Sequence, residues 1–231
     1  MSDAETDRVA AAAEVEVLRR LARAALEALE RARQRIDGLN VYPVPDGDTG
    51  ANLVLTVRAL VDELEAPPPP SERSLLHKNL ARALLMGARG NSGVILSQIV
   101  RGAVESAPAA PPLDARALAT MLEGAREAAY AAVQRPVEGT MLTLMRELAN
   151  EARARRREKL PLDQLLQELV ERAEEALARI SDRLPVLREN GVVDAGAAGL
   201  LECLRAIALE LSGEQSEQAP RLRLVSASSG G

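Results

Sequence analysis

The sequence predicts an all-α protein with about eight helices, and three observations support this class. Apolar residues recur at steps of three and four along most of the 231-residue chain, which is the spacing of amphipathic helices. No segment has the pattern of a convincing β-strand. Hydrophobic residues make up 47% of the chain, but Phe and Trp are absent and only two Tyr occur. We therefore expect helices packed through aliphatic side chains, in one large domain or two small ones.

Composition and charge count against several classes of function. The formal net charge of −5 and the shortage of aromatic side chains argue against nucleic acid as a partner. Cys203 is the only cysteine, which excludes an intrachain disulfide and a zinc site built from cysteines, and we expect it to pack in the core. The sequence shows neither a signal peptide nor an apolar run of membrane-spanning length. We therefore expect a cytoplasmic chain with no membrane insertion.

The first half of the chain contains four predicted helices, after a polar and flexible start. The longest has apolar side chains on one face from Val15 onward and ends near Gly38, a common helix stop signal. Four consecutive prolines after the second helix form a stiff spacer, because a helix cannot continue through them. His77 lies on the third helix, where it is interpreted as a surface residue. The flexible start is expected at 1–13, and the first three helices at 15–36, 51–64 and 74–86. The fourth helix is expected to carry Ile95, Ile99 and Gly102.

The second half of the chain contains four more predicted helices. Asp114 and Asp163 are expected to cap the fifth and the seventh of them. The arginine-rich end of the sixth helix, residues 153–157, is interpreted as a solvated surface at a favourable dipole end. A short helical turn is expected over 184–191, and a polar tail or linker over 213–231. The four helices are expected at 114–134, 140–157, 163–180 and 200–211.

The segment 40–52 is the most unusual part of the chain. Two prolines stiffen it, and Asp46 and Asp48 follow with a single glycine between them. A helical pattern begins directly after the second aspartate, so free N–H groups and the positive end of a helix dipole face this turn. Such a helix start suits a phosphate, and two carboxylates beside a phosphate suit Mg²⁺. The segment therefore predicts a site for a metal-bound phosphate.

Three other kinds of site or turn compete with the metal site as interpretations of this segment. An EF-hand would need different residues at Gly50, Ala51 and Val57. An aspartyl-phosphate phosphatase also has an Asp-x-Asp motif, but that motif should follow a buried strand, and the prolines argue against one. A simple helix-capping turn, in which Asp48 or Thr49 caps the helix and nothing binds, stays open.

A second glycine-bearing segment, residues 86–93, is predicted to join two helices. Its glycines recur every third residue, at Gly87, Gly90 and Gly93, and Asn91 and Ser92 are available as hydrogen-bond donors. The segment lacks the Gly-Lys-Ser/Thr of a P-loop and the preceding strand of a dinucleotide-binding fingerprint. Either it holds a phosphate at a helix start, or it is a tight turn between helices. The chain also contains the turn with Asp46 and Asp48, which we call the aspartate turn, and this favours phosphate binding by the segment 86–93.

Two further loops, residues 135–140 and 191–199, have a similar character. The second of them contains a single acid, Asp194, that is expected to be buried. Short connections between antiparallel helices place alternate loops at the same end of a bundle. We therefore expect all four unusual segments to converge on one site.

These motifs resemble the N-terminal kinase domain of the bacterial fatty acid kinase A subunit. That domain belongs to the family of the nucleotide-binding L subunit of dihydroxyacetone kinase. The resemblance rests on Asn-Val-Tyr-Pro-Val-Pro-Asp-Gly-Asp-Thr-Gly from Asn40, Leu-Met-Gly-Ala-Arg-Gly-Asn-Ser-Gly from Leu85, Pro-Val-Glu-Gly-Thr from Pro136 and Gly-Val-Val-Asp-Ala-Gly from Gly191. It covers residues 14–212, nearly the whole chain.

The resemblance implies an eight-helix antiparallel barrel of the DhaL type, with ATP and two Mg²⁺ bound by the loops at one end. Asp46 and Asp48 are the implied metal ligands. The dihydroxyacetone branch has a third aspartate slightly upstream, and Asn40 is the nearest candidate here. The implied nucleotide-binding residues are Thr49, Asn52, Gly90, Asn91, Ser92, Gly93, Thr140 and Asp194.

The resemblance also implies an acceptor and a partner. In the fatty acid kinase family the lipid arrives on a separate fatty-acid-binding protein of the DegV type, and the A subunit continues beyond its kinase domain. A homodimer is compatible with these features. The alternatives are a dihydroxyacetone kinase subunit, a non-enzymatic barrel that binds nucleotide or lipid for regulation, and, less favoured, a phosphatase. The Asn40 position and the Pro-Val-Pro-Asp-Gly-Asp form of the turn count against the dihydroxyacetone subunit.

Overall fold

The computed structural model describes residues 3–66, 73–108, 113–158 and 160–213, and within these ranges all regular secondary structure is helical. The predicted proline spacer and the predicted polar tail after Gly213 lie outside the described residues. The helices are α1 Asp3–Gly38, α2 Thr49–Glu65, α3 Arg73–Gly87, α4 Gly90–Glu105, α5 Ala115–Ala131, α6 Met141–Arg155, α7 Leu162–Ser181, α8 Pro185–Asn190 and α9 Ala195–Ser212.

The eight long helices form a closed ring. Each packs against the next long helix along the chain, and α9 closes the ring by packing against α1. The six-residue α8 corresponds to the predicted helical turn between the last two long helices. The predicted all-α fold is therefore confirmed, and the arrangement matches an antiparallel barrel.

The core is aliphatic, as the composition predicts. The stripe on α1 is buried along its length, from Val15 through Leu29 to Ile36. One large cluster fills the barrel, and a smaller cluster lies beneath α3, where Leu76, Leu80 and Leu84 meet side chains of α1 and α2. Cys203 is buried in the large cluster, which confirms its expected packing role.

Several predicted helix boundaries were wrong. Helix α1 begins at Asp3 rather than near Val15, because the alanines before Val15 are strong helix formers that need no buried stripe. Helix α5 ends at Ala131 and not at 134. Asp163 lies in the first turn of α7, while Pro161 takes the N-cap position. Asp114 does cap α5, since its side chain accepts a hydrogen bond from the Ala117 N–H at 2.8 Å.

The described helices include no candidate for a membrane-spanning segment. None of them combines the length and the apolar character that crossing a bilayer requires.

Candidate functional site

The starts of four helices meet at one end of the barrel. These are the N-termini of α2, α4, α6 and α9, whose N-cap residues are Asp48, Arg89, Thr140 and Asp194. The caps of α2, α4 and α6 make no side-chain hydrogen bond to their own helices. First-turn N–H groups and the positive ends of helix dipoles are therefore directed at this end of the barrel, which suits a polyanion.

A cavity of about 400 Å³ lies among three of these helix starts. Asn91 and Ser92 line it from the first turn of α4, Thr140 from the start of α6, and Asp194 from the start of α9. Tyr42, from the segment before α2, lines it as well. The structure thus brings together residues from all four segments that the sequence singles out. The remaining wall of the cavity is largely apolar and includes Val94, Ile95, Val133, Val137, Met141 and Leu142.

The aspartate turn lies beside this cavity and does not line it. Asp46 is exposed, and its Oδ1 accepts a hydrogen bond from the buried side-chain amide of Asn40 at 2.6 Å. The Asn40 nitrogen therefore orients the Asp46 carboxylate in this structure. Asp48 is partly exposed at the start of α2, and its side chain makes no hydrogen bond to the helix it precedes. Its carboxylate remains accessible, which a purely capping turn would not require.

Asp37 is a neighbour of the turn that the sequence analysis did not identify. It lies in the last turn of α1, and its Oδ1 accepts a hydrogen bond from the Ala51 N–H at 3.1 Å. The start of α2 is thus capped by a side chain from another helix instead of by Asp48 or Thr49. An acid at the C-terminal end of a helix is unfavourable to that helix's dipole, and this was the signal available in the sequence.

The glycine-bearing segment is mostly helical and packs tightly on α2. Only two residues separate α3 from α4, which begins at Gly90, inside the segment that was predicted to join the two helices. A β-carbon at Gly87 would lie 2.1 Å from the Ala59 β-carbon, and one at Gly93 would lie 2.4 Å from Thr56 Oγ1. These two glycines therefore allow α2 to approach closely. The segment is a tight interhelical turn, and its exposed first helical turn still borders the cavity.

Gly90 combines a close contact with an unusual backbone conformation. Its φ is +59°, a value that side chains disfavour, and a β-carbon there would lie 2.5 Å from the Asn52 side-chain nitrogen. Asn52 and Gly90 are thus neighbours, as a shared site would require. Neither of them lines the cavity, and the same holds for Thr49, which is buried at the start of α2.

Asp194 joins two helix starts. Its Oδ2 accepts hydrogen bonds from the Ala197 N–H of α9 at 2.8 Å and from the Met141 N–H of α6 at 3.0 Å. Burial raises the pKa of this carboxyl to about 6, although the two backbone hydrogen bonds oppose the rise. The predicted burial of Asp194 is therefore confirmed, and its contacts show that it connects the cavity walls.

An ion pair holds the loop between α5 and α6 in place. Glu138 accepts hydrogen bonds from Arg146 Nη2 at 2.7 Å and from Thr143 Oγ1 at 2.9 Å. Desolvation alone would raise the pKa of Glu138, but these hydrogen bonds lower it below its ordinary value. Thr140 Oγ1 donates to the Val137 carbonyl at 2.8 Å within the same loop. The loop therefore presents Thr140 to the cavity from a defined position.

Two further observations limit the chemistry of the site. His77 lies away from the cavity, where its Nε2 is 3.1 Å from Glu14 Oε1 on α1. Within the described residues, no group of three or more His, Cys, Asp or Glu side chains could by itself hold a metal ion. Asp46 and Asp48 are two carboxylates, which suits Mg²⁺ because that ion usually completes its shell with water and substrate phosphates.

Comparison with known proteins gives the family context. The family model of the DAK2 domain matches residues 43–209. An uncharacterized protein of Staphylococcus saprophyticus is 41% identical over 188 residues, which cover 81% of this chain and 34% of that protein. A Staphylococcus haemolyticus protein, also uncharacterized, is 40% identical over 182 residues, which cover 79% of this chain and 33% of that protein. The chain thus spans about one third of the length of these relatives.

Solved structures share the fold. The dihydroxyacetone kinase from C. freundii, in complex with AMP-PNP and Mg²⁺, superposes with a TM-score of 0.60 at 20% identity over 84% of this chain and 33% of that chain. The native form of the same enzyme superposes with a TM-score of 0.52 at 19% identity over 84% of this chain and 34% of that chain.

Proposed function

Since this chain belongs to the DAK2 domain family, we propose that it is a Mg-ATP-binding phosphotransferase domain that acts on a fatty acid carboxylate. One observation carries the proposal: helix starts and polar loop residues surround a cavity of about 400 Å³ with the two-aspartate turn beside it. The size falls within the usual range for small-molecule sites, about 300–1,000 Å³. We expect the activity in the cytoplasm.

The cavity has two kinds of wall, which suit the two parts of a nucleotide. The first turn of α4 offers N–H groups and the side chains of Asn91 and Ser92, and these suit phosphate oxygens. The apolar wall formed by Ile95, Val133 and Leu142 suits the flat face of a purine. Thr140 and Asp194 hold the opposite wall in place. We propose that the phosphates run from the α4 start toward the aspartate turn.

Asp46 and Asp48 would hold two Mg²⁺ ions on the phosphates. Both carboxylates are accessible, and Asn40 already orients Asp46. The bound ions would neutralise charge on the phosphate oxygens during transfer. The likeness to a dihydroxyacetone kinase solved with AMP-PNP and Mg²⁺ supports this choice of nucleotide and metal.

The proposed reaction needs no general base. A fatty acid is already a carboxylate at neutral pH, because its pKa is close to that of Glu. One carboxylate oxygen would bond to the γ-phosphorus while the bond from that phosphorus to the β–γ bridging oxygen breaks. The products are an acyl phosphate and ADP, and no proton moves. The position of His77 away from the cavity is consistent with such chemistry.

We propose that a DegV-type fatty-acid-binding protein presents the acceptor. The large apolar side chains of the described helices are mostly used in the two core clusters, which leaves few of them for an acyl chain. Presentation by a carrier would supply orientation and effective concentration. The second candidate is a dihydroxyacetone kinase subunit, which the structural similarity to that kinase favours.

Acyl-phosphate formation tests the choice of acceptor. Hydroxylamine trapping would be measured for the chain alone with free fatty acid, for the chain with a lipid-loaded DegV-type protein, and for a full-length relative with the same carrier. We expect product to require both the carrier and the region that follows the kinase domain in the fatty acid kinase A subunit. Turnover of free dihydroxyacetone by the chain alone would contradict the fatty acid assignment. ATP binding without any turnover of either acceptor, in all three mixtures, would instead favour the regulatory barrel.

A further inference from the structure

The end of the barrel opposite the nucleotide cavity carries a trough between α5 and α6. Helix α6 starts at the cavity and ends at this trough, which places the two sites about 20 Å apart at 1.5 Å per residue. The trough has a volume of about 690 Å³. We call it the arginine trough, because four arginines line it: Arg116, Arg153, Arg156 and Arg157.

The arginines of the trough lack the partners that other arginines of the chain have. Most described arginines lie within 4 Å of a carboxylate, as Arg155 does with Glu151 and Glu158. Within the described ranges, the guanidinium groups of Arg116, Arg156 and Arg157 make no ion pair or hydrogen bond, and that of Arg153 contacts only the amide oxygen of Asn150 at 3.4 Å. All four are exposed. The trough therefore offers four guanidinium groups for an external anion.

Carboxylates within the trough do not neutralise these arginines. Glu123 and Glu127 line it, but Arg126 engages both, at 2.7 and 3.4 Å. The hydrogen bond from Arg126 also lowers the pKa of Glu123, as does the charge of the nearby Arg153, while desolvation opposes this. Four arginines against two glutamates leave an excess of two positive charges in the lining.

Helix dipoles explain the positions of only three of the four arginines in the trough. Arginines at the C-terminal end of α6 face a favourable dipole, which accounts for Arg153, Arg156 and Arg157. Arg116 is in the first turn of α5, where the dipole disfavours a cation, and it shares the trough with three others. Natural sequences break such local rules mainly at functional positions. The dipole of α5 therefore does not account for the position of Arg116.

We propose that the arginine trough binds an anionic ligand with clustered phosphate groups. Each guanidinium can donate two parallel hydrogen bonds to a phosphate, and a phosphate can accept from several guanidiniums at once. Ser106 adds a neutral donor to the lining, whereas the Thr120 hydroxyl already donates to the Arg116 carbonyl at 3.0 Å. An excess of two positive charges matches a phosphate dianion better than a single carboxylate. A second cavity, which shares Arg116, Arg156 and Arg157, continues the trough toward Pro161. Its lining adds the carboxylates of Asp114 and Glu158, which are engaged by the Ala117 N–H at 2.8 Å and by Arg155 at 3.2 Å, so the positive excess belongs to the trough itself.

Two sources of such a ligand are distinguished by experiment. Soluble phosphate would be probed with inorganic tripolyphosphate by calorimetry in metal-free buffer, so that the Mg-dependent site does not contribute. Lipid headgroups would be probed by cosedimentation with phosphatidylglycerol-containing vesicles, compared with pure phosphatidylcholine vesicles. The test variant is Arg156→Glu/Arg157→Glu. The control is Arg82→Glu/Arg188→Glu, which reverses two exposed arginines outside the trough.

We expect the wild type to bind tripolyphosphate, phosphatidylglycerol vesicles, or both. The trough variant should weaken this binding about tenfold or more, and the control variant at most about twofold. Circular dichroism should show the same helicity for all three proteins. A soluble ligand is indicated by the calorimetric arm alone, and a lipid headgroup by the vesicle arm alone. Absence of binding in both arms, or an equal loss in the control, would overturn the proposal. Binding of polyglutamate in preference to both phosphate probes would also overturn it.

Discussion

Asp194 provides a stability test that can be worked out from the structure. Its carboxyl is buried and joins the starts of α6 and α9 through the Met141 and Ala197 N–H groups. The substitution Asp194→Asn keeps an oxygen that can accept both hydrogen bonds and removes the ionisable group. It therefore isolates the cost of charging this carboxyl in the folded protein.

The magnitude follows from the raised pKa. Desolvation raises the pKa of Asp194 to about 6 from an ordinary value of 3.8. At 1.36 kcal/mol per pKa unit, this difference corresponds to about 3 kcal/mol. Because the folded-state pKa is the higher one, this stability is fully present below the unfolded pKa, near pH 4. It is lost as the pH rises through about 6.

The assay is urea denaturation followed by far-ultraviolet circular dichroism between pH 4.5 and 7.5. The free energy of unfolding of the wild type minus that of Asp194→Asn is expected to fall by about 2 kcal/mol across this range, because about 1 kcal/mol of the total is already lost below pH 4.5. Other carboxylates cancel in the difference. Asp194→Ala leaves two buried N–H groups unsatisfied and should lose about 2–4 kcal/mol at pH 4.5, with a smaller loss at pH 7.5. A difference that stays constant with pH would refute the account of a desolvated, ionisable Asp194.

Three further variants test the positions of other site residues. Asn40→Ala removes the hydrogen bond that orients Asp46 and should weaken Mg-ATP binding about tenfold by calorimetry, with an unchanged melting temperature; equal affinity would contradict that role. Gly90→Val places a side chain at φ +59° against Asn52 and should lower the free energy of unfolding by about 2 kcal/mol or more. Wild-type stability of this variant in urea would show that the segment adapts. Glu138→Gln weakens a half-exposed ion pair, so a melting-temperature drop of only about 2–4 °C is expected, and no drop would mean that the loop does not depend on it.

The helical core was predictable because it follows from local periodicity. A stripe such as Val15 to Ile36 buries one face of a helix whatever the helix packs against, so the sequence alone identifies it. Asp114 was predictable for the same reason, since a cap contacts its own first turn. These features depend on residues three or four positions apart.

Features that depend on distant residues were not predictable. Asp37 caps α2 from the end of α1, and no spacing rule connects it to Ala51. The glycines of residues 87–93 were interpreted as a loop, whereas the close approach of α2 is what requires Gly87 and Gly93. Glycine permits both a flexible loop and tight helix packing, and only the position of α2 distinguishes them.

The candidate site was predictable in part of its membership and not in its geometry, since Thr49, Asn52, Gly90 and Gly93 do not line the cavity. The sequence singled out Asn91, Ser92, Thr140 and Asp194, and the structure places all four around one cavity. The position of the aspartate turn beside the cavity, and the use of the Asn40 nitrogen to hold Asp46, needed three-dimensional information. A second acid with no capping contact was the part of the pattern that pointed beyond simple helix capping.

The central claim is that Asp46 and Asp48 make nucleotide binding depend on Mg²⁺. Calorimetric titration with ATP, with and without Mg²⁺, would compare the wild type with Asp46→Asn and Asp48→Asn. Asp62→Asn, an exposed acid on α2 away from the turn, is the matched control. We predict that the wild type and the control bind ATP only with Mg²⁺, and that each turn variant binds at least about tenfold more weakly. Undiminished Mg-ATP affinity in both turn variants would contradict the account.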